Sequence, residues 1–344
     1  MHPETPPEAP SSDASNLDIL RAFAVLAVFA DHLMEAYGAR TGHGLHPYDF
    51  YLGRLGVLFF FVHTSLVLMY SLARLSRHPD RLFARFYIRR AFRIYPLSIV
   101  IVLLVLLLGI PAVPWEPVGV RTFADIVSNL TLTMNLTHTR AVLSPLWSLP
   151  LEVQMYLVLP VLFLVLRRHS VVTVGACWLL SVLVALILPA VSNRLSVAAF
   201  GPCFVAGAVA FVLEHRVRRR LRAELWPVAV AGLASIYIVI EQLDPRVHPM
   251  PLAWGICLAL GMAVPFFHNL PKGPVQRLSH QIATYSYGIY LTHTATIWVA
   301  FYAMADAPLV AQVAVFGGLV VALPIACFHV VEKPMMELGR RLSN

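Results

Sequence analysis

The sequence predicts an all-α integral membrane protein, a bundle of about ten transmembrane helices with both termini in the cytoplasm. Of its 344 residues, 58% are hydrophobic and only 13% are charged, whereas a soluble protein carries about 25% charged residues. The mean hydropathy is +0.72. Ten apolar stretches are long enough, or nearly so, to cross about 30 Å of hydrocarbon.

The ten segments lie within residues 17–334, which we interpret as one transmembrane domain. Residues 1–16 are rich in Pro, Ser and Glu and predict a disordered cytoplasmic tail, and residues 335–344 predict a second cytoplasmic tail. Prolines at four positions predict kinks: Pro160, Pro202, Pro265 and Pro324. The predicted segments are 17–37, 52–73, 92–113, 147–166, 171–190, 196–213, 226–241, 251–268, 283–303 and 308–330.

The lysines and arginines support this order of segments. With the N-terminus in the cytoplasm, that side holds 19 of them: seven after the second segment, two after the fourth, five after the sixth, two after the eighth and three after the tenth. The other side holds six, and Arg21 lies within a span. This alternation follows the positive-inside rule. It explains most of the net charge of +8, so we expect no nucleic-acid partner.

Other features of composition indicate little. The four cysteines lie in apolar runs without a Cys-x-x-Cys spacing, and no cluster of metal-ligand residues stands out, so we expect no metal. The long outer connection, about 114–146, contains Asn-x-Thr sequences at Asn129 and Asn135, which we interpret as chance occurrences. The sequence leaves the oligomeric state open.

Arg21 and His32 are the most informative residues of the first segment. Eleven positions make about three helical turns, so the two side chains share a face and lie roughly 16 Å apart along the axis. A charged side chain at the centre of a span costs about 2.5–3.5 kcal/mol on insertion scales. Because folding alone does not require this cost, the pair indicates a function.

The predicted topology also gives the depth of other ionisable residues in the membrane. The fourth segment begins near Trp147, and Glu152, five residues further on, is predicted at the level of His32. At one level the two side chains could form an acid/base pair. His63 and His293 are predicted near the middle of the membrane. Histidines there also join helices by hydrogen bonds, and this structural interpretation stays open for both.

Three arginines lie at the cytoplasmic entrance of the third segment. Arg89 and Arg93 share a helix face at a spacing of four, with Arg90 beside them. They are typical of a cytoplasmic anchor, but arginine also binds phosphate, and a phosphorylated ligand such as coenzyme A would fit. The arginines between 216 and 222 are interpreted as a topology signal only.

Six segments, in order along the chain, carry a recognisable set of motifs. They are Leu17-Asp18-x-x-Arg21 followed by His32, Gly56-Val57-Leu58-Phe59-Phe60-Phe61-Val62, Arg89-Arg90-x-x-Arg93-Ile94-x-Pro96, Trp147-Ser148-Leu149-Pro150-Leu151-Glu152-Val153-Gln154-Met155-Tyr156, Tyr285-Ser286-Tyr287-Gly288-Ile289-Tyr290-Leu291-Thr292-His293, and Glu332-Lys333-Pro334. Together they resemble the acyltransferase-3 family of integral membrane O-acyltransferases. Two departures stand out: Leu58 replaces the Asp of the second motif, and Thr64-Ser65 replaces its Ser-Gly.

The resemblance implies transfer of an acyl group, acetyl or short-chain, from cytoplasmic acyl-CoA to a hydroxyl of a cell-envelope glycan or an exported metabolite. The expected localisation is the inner or plasma membrane, with many passes through the bilayer. His32, Glu152, Arg21 and His293 are the expected catalytic residues. Arg89, Arg90 and Arg93 would bind the acyl-CoA co-substrate, and Trp147, Tyr156 and His63 would contact substrate.

Two other functions fit the same residues. A secondary transporter could use His32 and Glu152 as a proton relay, although no inverted repeat or pair of broken segments is visible. A non-catalytic member of the fold is the second alternative, and Leu58 favours it. Both alternatives stay open at the level of sequence.

Overall fold

The computed structural model describes residues 15–42, 51–76, 81–111, 122–168, 170–243 and 249–343. These residues form thirteen α-helices and contain no strand, only one isolated bridge between Leu221 and Phe267. Most of the predicted N-terminal tail, residues 1–14, lies outside this described part. Segment 335–344, predicted as a tail, is helical up to Leu342.

The helices follow one another along the chain with short connections. They are α1 (Ser15–Thr41), α2 (Tyr51–Leu75), α3 (Leu82–Leu108), α4 (Phe123–Thr131), α5 (Met134–Thr137), α6 (Leu149–Leu166), α7 (Val171–Val191), α8 (Val197–Glu214), α9 (Leu225–Leu243), α10 (Pro249–Ala263), α11 (Pro274–Trp298), α12 (Leu309–Cys327) and α13 (Lys333–Leu342). A 3₁₀ turn, Ser144–Ser148, precedes α6. Two π-helical segments, Val299–Ala303 and Phe328–Glu332, follow α11 and α12.

Each of the ten predicted segments overlaps a helix. Seven helical segments are long and apolar enough to cross a membrane: Tyr51–Leu75, Leu82–Leu108, Ser144–Leu166, Val171–Val191, Asn193–Glu214, Leu225–Leu243 and Leu309–Leu342. The three others are α1, α10 and α11, of which α10 has 15 residues. The protein is therefore an all-helical, multi-pass membrane protein, and the count of ten crossings and the orientation of the termini remain predictions.

The third helix differs most from its predicted boundaries. It begins at Leu82, ten residues before the predicted start, so the arginines assigned to its entrance lie within the helix. It ends at Leu108 because Gly109 adopts a left-handed conformation with φ 65° and donates its backbone N–H to the Val105 carbonyl. Glycine adopts this conformation without a steric penalty.

Helices α1 and α2 form the centre of the bundle. Buried residues make up 83% of the apolar stretch of α2, but only 11% of that of α7. α1 packs against both α2 and α11. The contact with α2 is close at Gly56, where an added Cβ would lie 2.5 Å from the Ala24 carbonyl oxygen. Small residues permit this approach between membrane helices.

The connection between α3 and α6 contains the short helices α4 and α5. A capping box between Thr122 and Asp125 begins α4, as expected when each residue satisfies a free backbone donor of the other. Asn129 is fully buried and its amide bonds the Asp125 and Arg140 carbonyls and the Val142 N–H. A side chain held in this way is part of the fold, which agrees with the chance interpretation of its Asn-x-Thr sequence.

Candidate active site

A pair of buried histidines joins α1 to α11. Nδ1 of His32 lies 3.2 Å from Nε2 of His293, and the ring centroids are 4.9 Å apart. The two residues are 9% and 2% exposed. The predicted catalytic histidines, 261 positions apart in the sequence, are therefore neighbours in the fold.

The hydrogen bonds indicate the protonation of this pair. Nδ1 of His293 lies 2.8 Å from the Tyr290 carbonyl oxygen and 3.1 Å from that of Ile289. A carbonyl only accepts, so this nitrogen carries the proton and Nε2 of the neutral ring is an acceptor. Nδ1 of His32 then donates to His293 or to the Val28 carbonyl, 2.9 Å away. Its Nε2 is left unprotonated, 3.4 Å from the Ser144 hydroxyl, as a general base requires.

The 3₁₀ turn Ser144–Ser148 covers the histidine pair. Ser144 reaches His32, and the Ser148 hydroxyl lies 2.8 Å from that of Tyr290. Tyr290 in turn donates to the Pro145 carbonyl at 2.7 Å. The turn thus brings two hydroxyls to α1 and α11. Ser144 was not singled out in the sequence because no motif marks it.

Glu152 does not pair with His32, so that prediction is wrong. Its Oε1 accepts a hydrogen bond of 2.5 Å from Tyr156, one helical turn along α6. Among the described residues, His32 bonds Val28, Ser144 and His293 instead. The physical reason is the turn before α6, which places Ser144, and not Glu152, beside His32.

Glu152 faces a cavity that is lined by arginines. Three of the lining side chains are Arg21, Arg90 and Arg93. The other polar residues of the wall are His63, Thr64, Glu152, Tyr156 and Tyr287. His63 Nδ1 and Arg90 Nε are buried and have no hydrogen-bond partner among the described residues. The cavity, hereafter the arginine cavity, therefore combines positive charge with unused hydrogen-bonding capacity, a combination suited to an anion.

Two of these arginines are held in place by neighbours. Arg21 donates from Nε to the Ser286 hydroxyl at 2.6 Å and lies over the Phe60 ring, 5.5 Å from its centroid. Arg93 pairs with Glu332 at 2.7 Å and lies 5.6 Å from the centroid of Tyr287. Cations over aromatic faces and charge-assisted hydrogen bonds both fix orientation.

Arg89 takes a different position. Its Nε donates to the Ser343 hydroxyl at 2.8 Å, just after α13, and Arg93 also reaches Met336 of that helix. The two side chains thus share a face, as their spacing predicts. Only Arg90 and Arg93 of the three line the arginine cavity.

A second cavity, the apolar cavity, adjoins the first. Both cavities are lined by Phe60, Glu152 and Tyr287. The walls of the apolar cavity are mostly aliphatic, with residues such as Ala24 and Val57. The same residues Val28 and Tyr290 that line it also hold the histidine rings through their carbonyls.

The polar groups of the apolar cavity are already bonded within the protein. Tyr287 donates to the Ile94 carbonyl at 2.8 Å, Ser286 bonds Arg21 and the Ala283 carbonyl, and Ser148 bonds Tyr290. Their bonding potential is satisfied, so the inner surface is apolar in effect. It suits the uncharged part of a ligand.

Trp147 and the motif residue Leu58 lie outside the two cavities. Trp147 is 37% exposed and packs its ring at 5.8 Å from that of Phe200, and it is not among the residues lining either cavity. Leu58 is fully buried and also lines neither cavity, and its carbonyl accepts from the Cys257 thiol at 3.8 Å. The departure from the family motif therefore lies outside both cavities.

Glu332 was missed as a site residue, although the Glu-Lys-Pro motif contained it. It lies in the π-helical segment after α12, and its side chain is fully buried against Arg93. π-helical segments occur frequently at functional sites. The ion pair could not be read from the sequence because 239 residues separate its partners.

Comparisons with known proteins identify the family of this chain. The acyltransferase-3 family model, described as an acyltransferase domain, matches residues 15–330. The chain is 26% identical to Nodulation protein 10 of Rhizobium leguminosarum bv. viciae over an alignment of 384 residues that covers 98% of each chain. No solved structure matches the chain. Since the family model matches well over half of its length, the protein belongs to the acyltransferase-3 family.

Proposed function

We propose that this protein is a membrane O-acyltransferase that moves an acetyl or short acyl group from cytoplasmic acyl-CoA to a hydroxyl of a glycan or an exported metabolite. One observation carries the proposal. The arginine cavity and the apolar cavity share Phe60, Glu152 and Tyr287. Together they extend from buried cations to Val28 and Tyr290, whose carbonyls hold the rings of His32 and His293; the two histidines themselves line neither cavity.

The acyl donor is assigned from the chemistry of the residues that line the two cavities. Arg90, Arg93 and Arg21 bind phosphates of coenzyme A, since guanidinium groups form strong, oriented hydrogen bonds with phosphate oxygens. The less polar arm that carries the thioester extends into the apolar cavity, past Phe60. Arg89, close to α13, lies outside the cavity and attracts the anionic donor toward it.

The reaction then takes place at the histidine pair. Nε2 of His32 takes the proton of the acceptor hydroxyl, whose oxygen attacks the thioester carbonyl carbon. A tetrahedral oxyanion forms and collapses, the carbon–sulfur bond breaks, and the thiolate leaves with the proton returned from His32. His293 orients the ring of His32 and stabilises its positive charge. The products are the O-acyl ester and free coenzyme A.

The acceptor approaches from the side of the 3₁₀ turn. Ser144 presents a hydroxyl there, and Trp147 offers a partly exposed ring. Aromatic rings and hydroxyls are suited to bind polyols such as glycans. We place this side outside the cytoplasm by the charge distribution of the connections.

Mass spectrometry tests the proposal directly. Cells with and without the protein are compared for the acyl mass shift on surface glycans and exported metabolites. The purified protein in proteoliposomes then receives labelled acetyl-CoA and the acceptor identified in cells. We expect label on the acceptor hydroxyl and release of free coenzyme A. Acceptor uptake without acyl-CoA would favour the transporter, and absence of both activities would favour a non-catalytic member.

A further inference from the structure

Tyr290 bonds both the histidine pair and the 3₁₀ turn that covers it. Its backbone carbonyl oxygen lies 2.8 Å from Nδ1 of His293. Its hydroxyl lies 2.7 Å from the Pro145 carbonyl oxygen and 2.8 Å from the Ser148 hydroxyl. The acyl-transfer steps proposed above give this hydroxyl no role, yet one residue connects the turn to the helix that carries His293.

The directions of the two side-chain hydrogen bonds follow from their partners. The Pro145 carbonyl only accepts, so the phenol proton of Tyr290 points to it. The Ser148 hydroxyl must then donate to the phenol oxygen. The hydroxyl of Tyr290 thus makes two bonds to a single turn. A phenylalanine at this position would remove both bonds and keep the ring.

These contacts close a ring of hydrogen bonds around His32. From the turn, Ser144 reaches Nε2 of His32 at 3.4 Å. Nδ1 of His32 lies 3.2 Å from His293, which the Tyr290 carbonyl holds. The Tyr290 hydroxyl returns to Pro145, the neighbour of Ser144 in the sequence. The position of Ser144 on His32 therefore depends on the Tyr290 hydroxyl.

The chain before the turn is held from a different helix. Asn129 of α4 accepts from the Val142 N–H at 2.9 Å and donates to the Arg140 carbonyl at 2.9 Å. Val142 precedes Ser144 by two residues. The segment thus has one anchor on α4 and one on α11. Of these two anchors, Tyr290 is the one that also holds a catalytic histidine.

The turn limits access to His32. Pro145 and Leu146 are buried, and His32 is 9% exposed. The Ser144 hydroxyl occupies the position on Nε2 that an attacking hydroxyl must take. A separation of 3.4 Å is long for a hydroxyl donor, so an acceptor hydroxyl can replace it. Water would take the same position if the turn moved away, and exclusion of water is what prevents hydrolysis in a closed site.

We propose that Tyr290 is a positioning residue that holds the turn over His32, so that the acceptor hydroxyl and not water receives the acyl group. The inference rests on the proposed function, because it concerns the second reactant at the same base. With the turn displaced, a water oxygen attacks the thioester carbonyl carbon and His32 takes the water proton. The carbon–sulfur bond breaks, the thiolate leaves with that proton, and a carboxylic acid and free coenzyme A are formed.

The partition between transfer and hydrolysis tests this inference with the full-length protein in proteoliposomes. Labelled acetyl-CoA and the acceptor identified in cells are supplied, and acylated acceptor and free acetate are measured separately. We expect the ratio of acetate to acylated acceptor to rise about tenfold in Tyr290→Phe, which loses two hydrogen bonds. Ser148→Ala loses one of them and should show a smaller rise. The double variant His32→Gln/Tyr290→Phe should form no acetate, because water depends on the same base.

Tyr95→Phe is the matched control. Its hydroxyl joins α3 to the same connection by a bond of 3.2 Å to the Thr131 carbonyl, 13 residues before Ser144. This variant loses a tyrosine–carbonyl bond without touching the turn and should keep the ratio of the wild type. Melting temperatures establish that all variants are folded. Hydrogen exchange of residues 142–148, measured without substrate, should be faster in Tyr290→Phe than in Tyr95→Phe.

The outcomes separate the two proposals. An unchanged ratio in Tyr290→Phe, an equal rise in Tyr95→Phe, or acetate formation that persists without His32 would overturn the inference, while transfer by the wild type would still support the proposed function. A wild type that neither transfers nor hydrolyses acetyl-CoA would overturn the proposed function, and the inference about water with it.

Discussion

Nε2 of His293 lies 3.2 Å from Nδ1 of His32, which makes two histidines from distant parts of the chain one hydrogen-bonded unit. Each ring is also held by backbone carbonyls of its own helix, Val28 for His32 and Tyr290 for His293. Both rings are therefore oriented before a substrate binds. Such preorganisation is what a general base requires.

The first prediction concerns this pair. His32→Gln removes the base and should lower acyl transfer by about 10²- to 10⁴-fold. His293→Gln should lower it in the same range, and the double variant should be little worse than either single one, since residues that act as a unit are not additive. Labelled acetyl transfer in membranes measures all three. The control is His215→Gln on the exposed end of α8; unchanged transfer by His32→Gln would exclude the general-base role.

A second prediction compares how much the side chains of Glu152 and Tyr156 contribute to activity. Glu152→Gln removes the carboxylate that both cavities share and should lower kcat/KM for acyl-CoA by more than about tenfold, since a buried group that balances arginines is lost. Tyr156→Phe removes one hydrogen bond and should cost less than about tenfold. Steady-state kinetics with purified protein measure both. Equal effects of the two variants would contradict the proposal that the Glu152 carboxylate matters more for donor use than its hydrogen bond with Tyr156.

The ion pair between Arg93 and Glu332 gives a third prediction. Glu332→Gln leaves Arg93, whose side chain is 16% exposed, without its anionic partner and should lower stability by about 2–3 kcal/mol. Glu224→Gln is the control, because its pair with Arg222 is exposed and contributes less than about 1 kcal/mol.

Thermal melting in detergent measures the stability of these variants. Replacing both Arg93 and Glu332 by Met should recover part of the stability while acyl-CoA affinity stays low. Recovery of donor affinity together with stability would show that Arg93 serves packing alone.

Helix packing gives a fourth prediction, in which the same substitution, Gly to Ala, lowers stability at one position and raises it at another. An added methyl at Gly56 would lie 2.5 Å from the Ala24 carbonyl oxygen, so Gly56→Ala should lower stability by about 1–3 kcal/mol. At Gly175, in α7, nothing lies within 4 Å of the added Cβ. Gly175→Ala should therefore raise stability by up to about 1 kcal/mol. The same melting experiment measures both, and a shift of the same sign for the two variants would contradict this account of the contact between α1 and α2.

The sequence predicted the helices well because apolar length is a local property. Each predicted segment overlaps a helix, and the largest error, at the start of α3, arose because its first turns are rich in arginine rather than apolar. The number of crossings is less accessible. A helix such as α1 can carry Arg21 and His32 because other helices pack against it. Composition alone does not show which helices pack together.

The sequence by itself determined the class of protein and its family, and it singled out His32, His293, Glu152 and the arginines. Their motifs are short and ordered, so they can be read along one chain. Only the tertiary structure decided which of them meet: His32 with His293, Glu152 with Tyr156, and Arg93 with Glu332. The reason is physical, since periodicity fixes the face and level of a side chain on its own helix, whereas its partner depends on how distant helices pack.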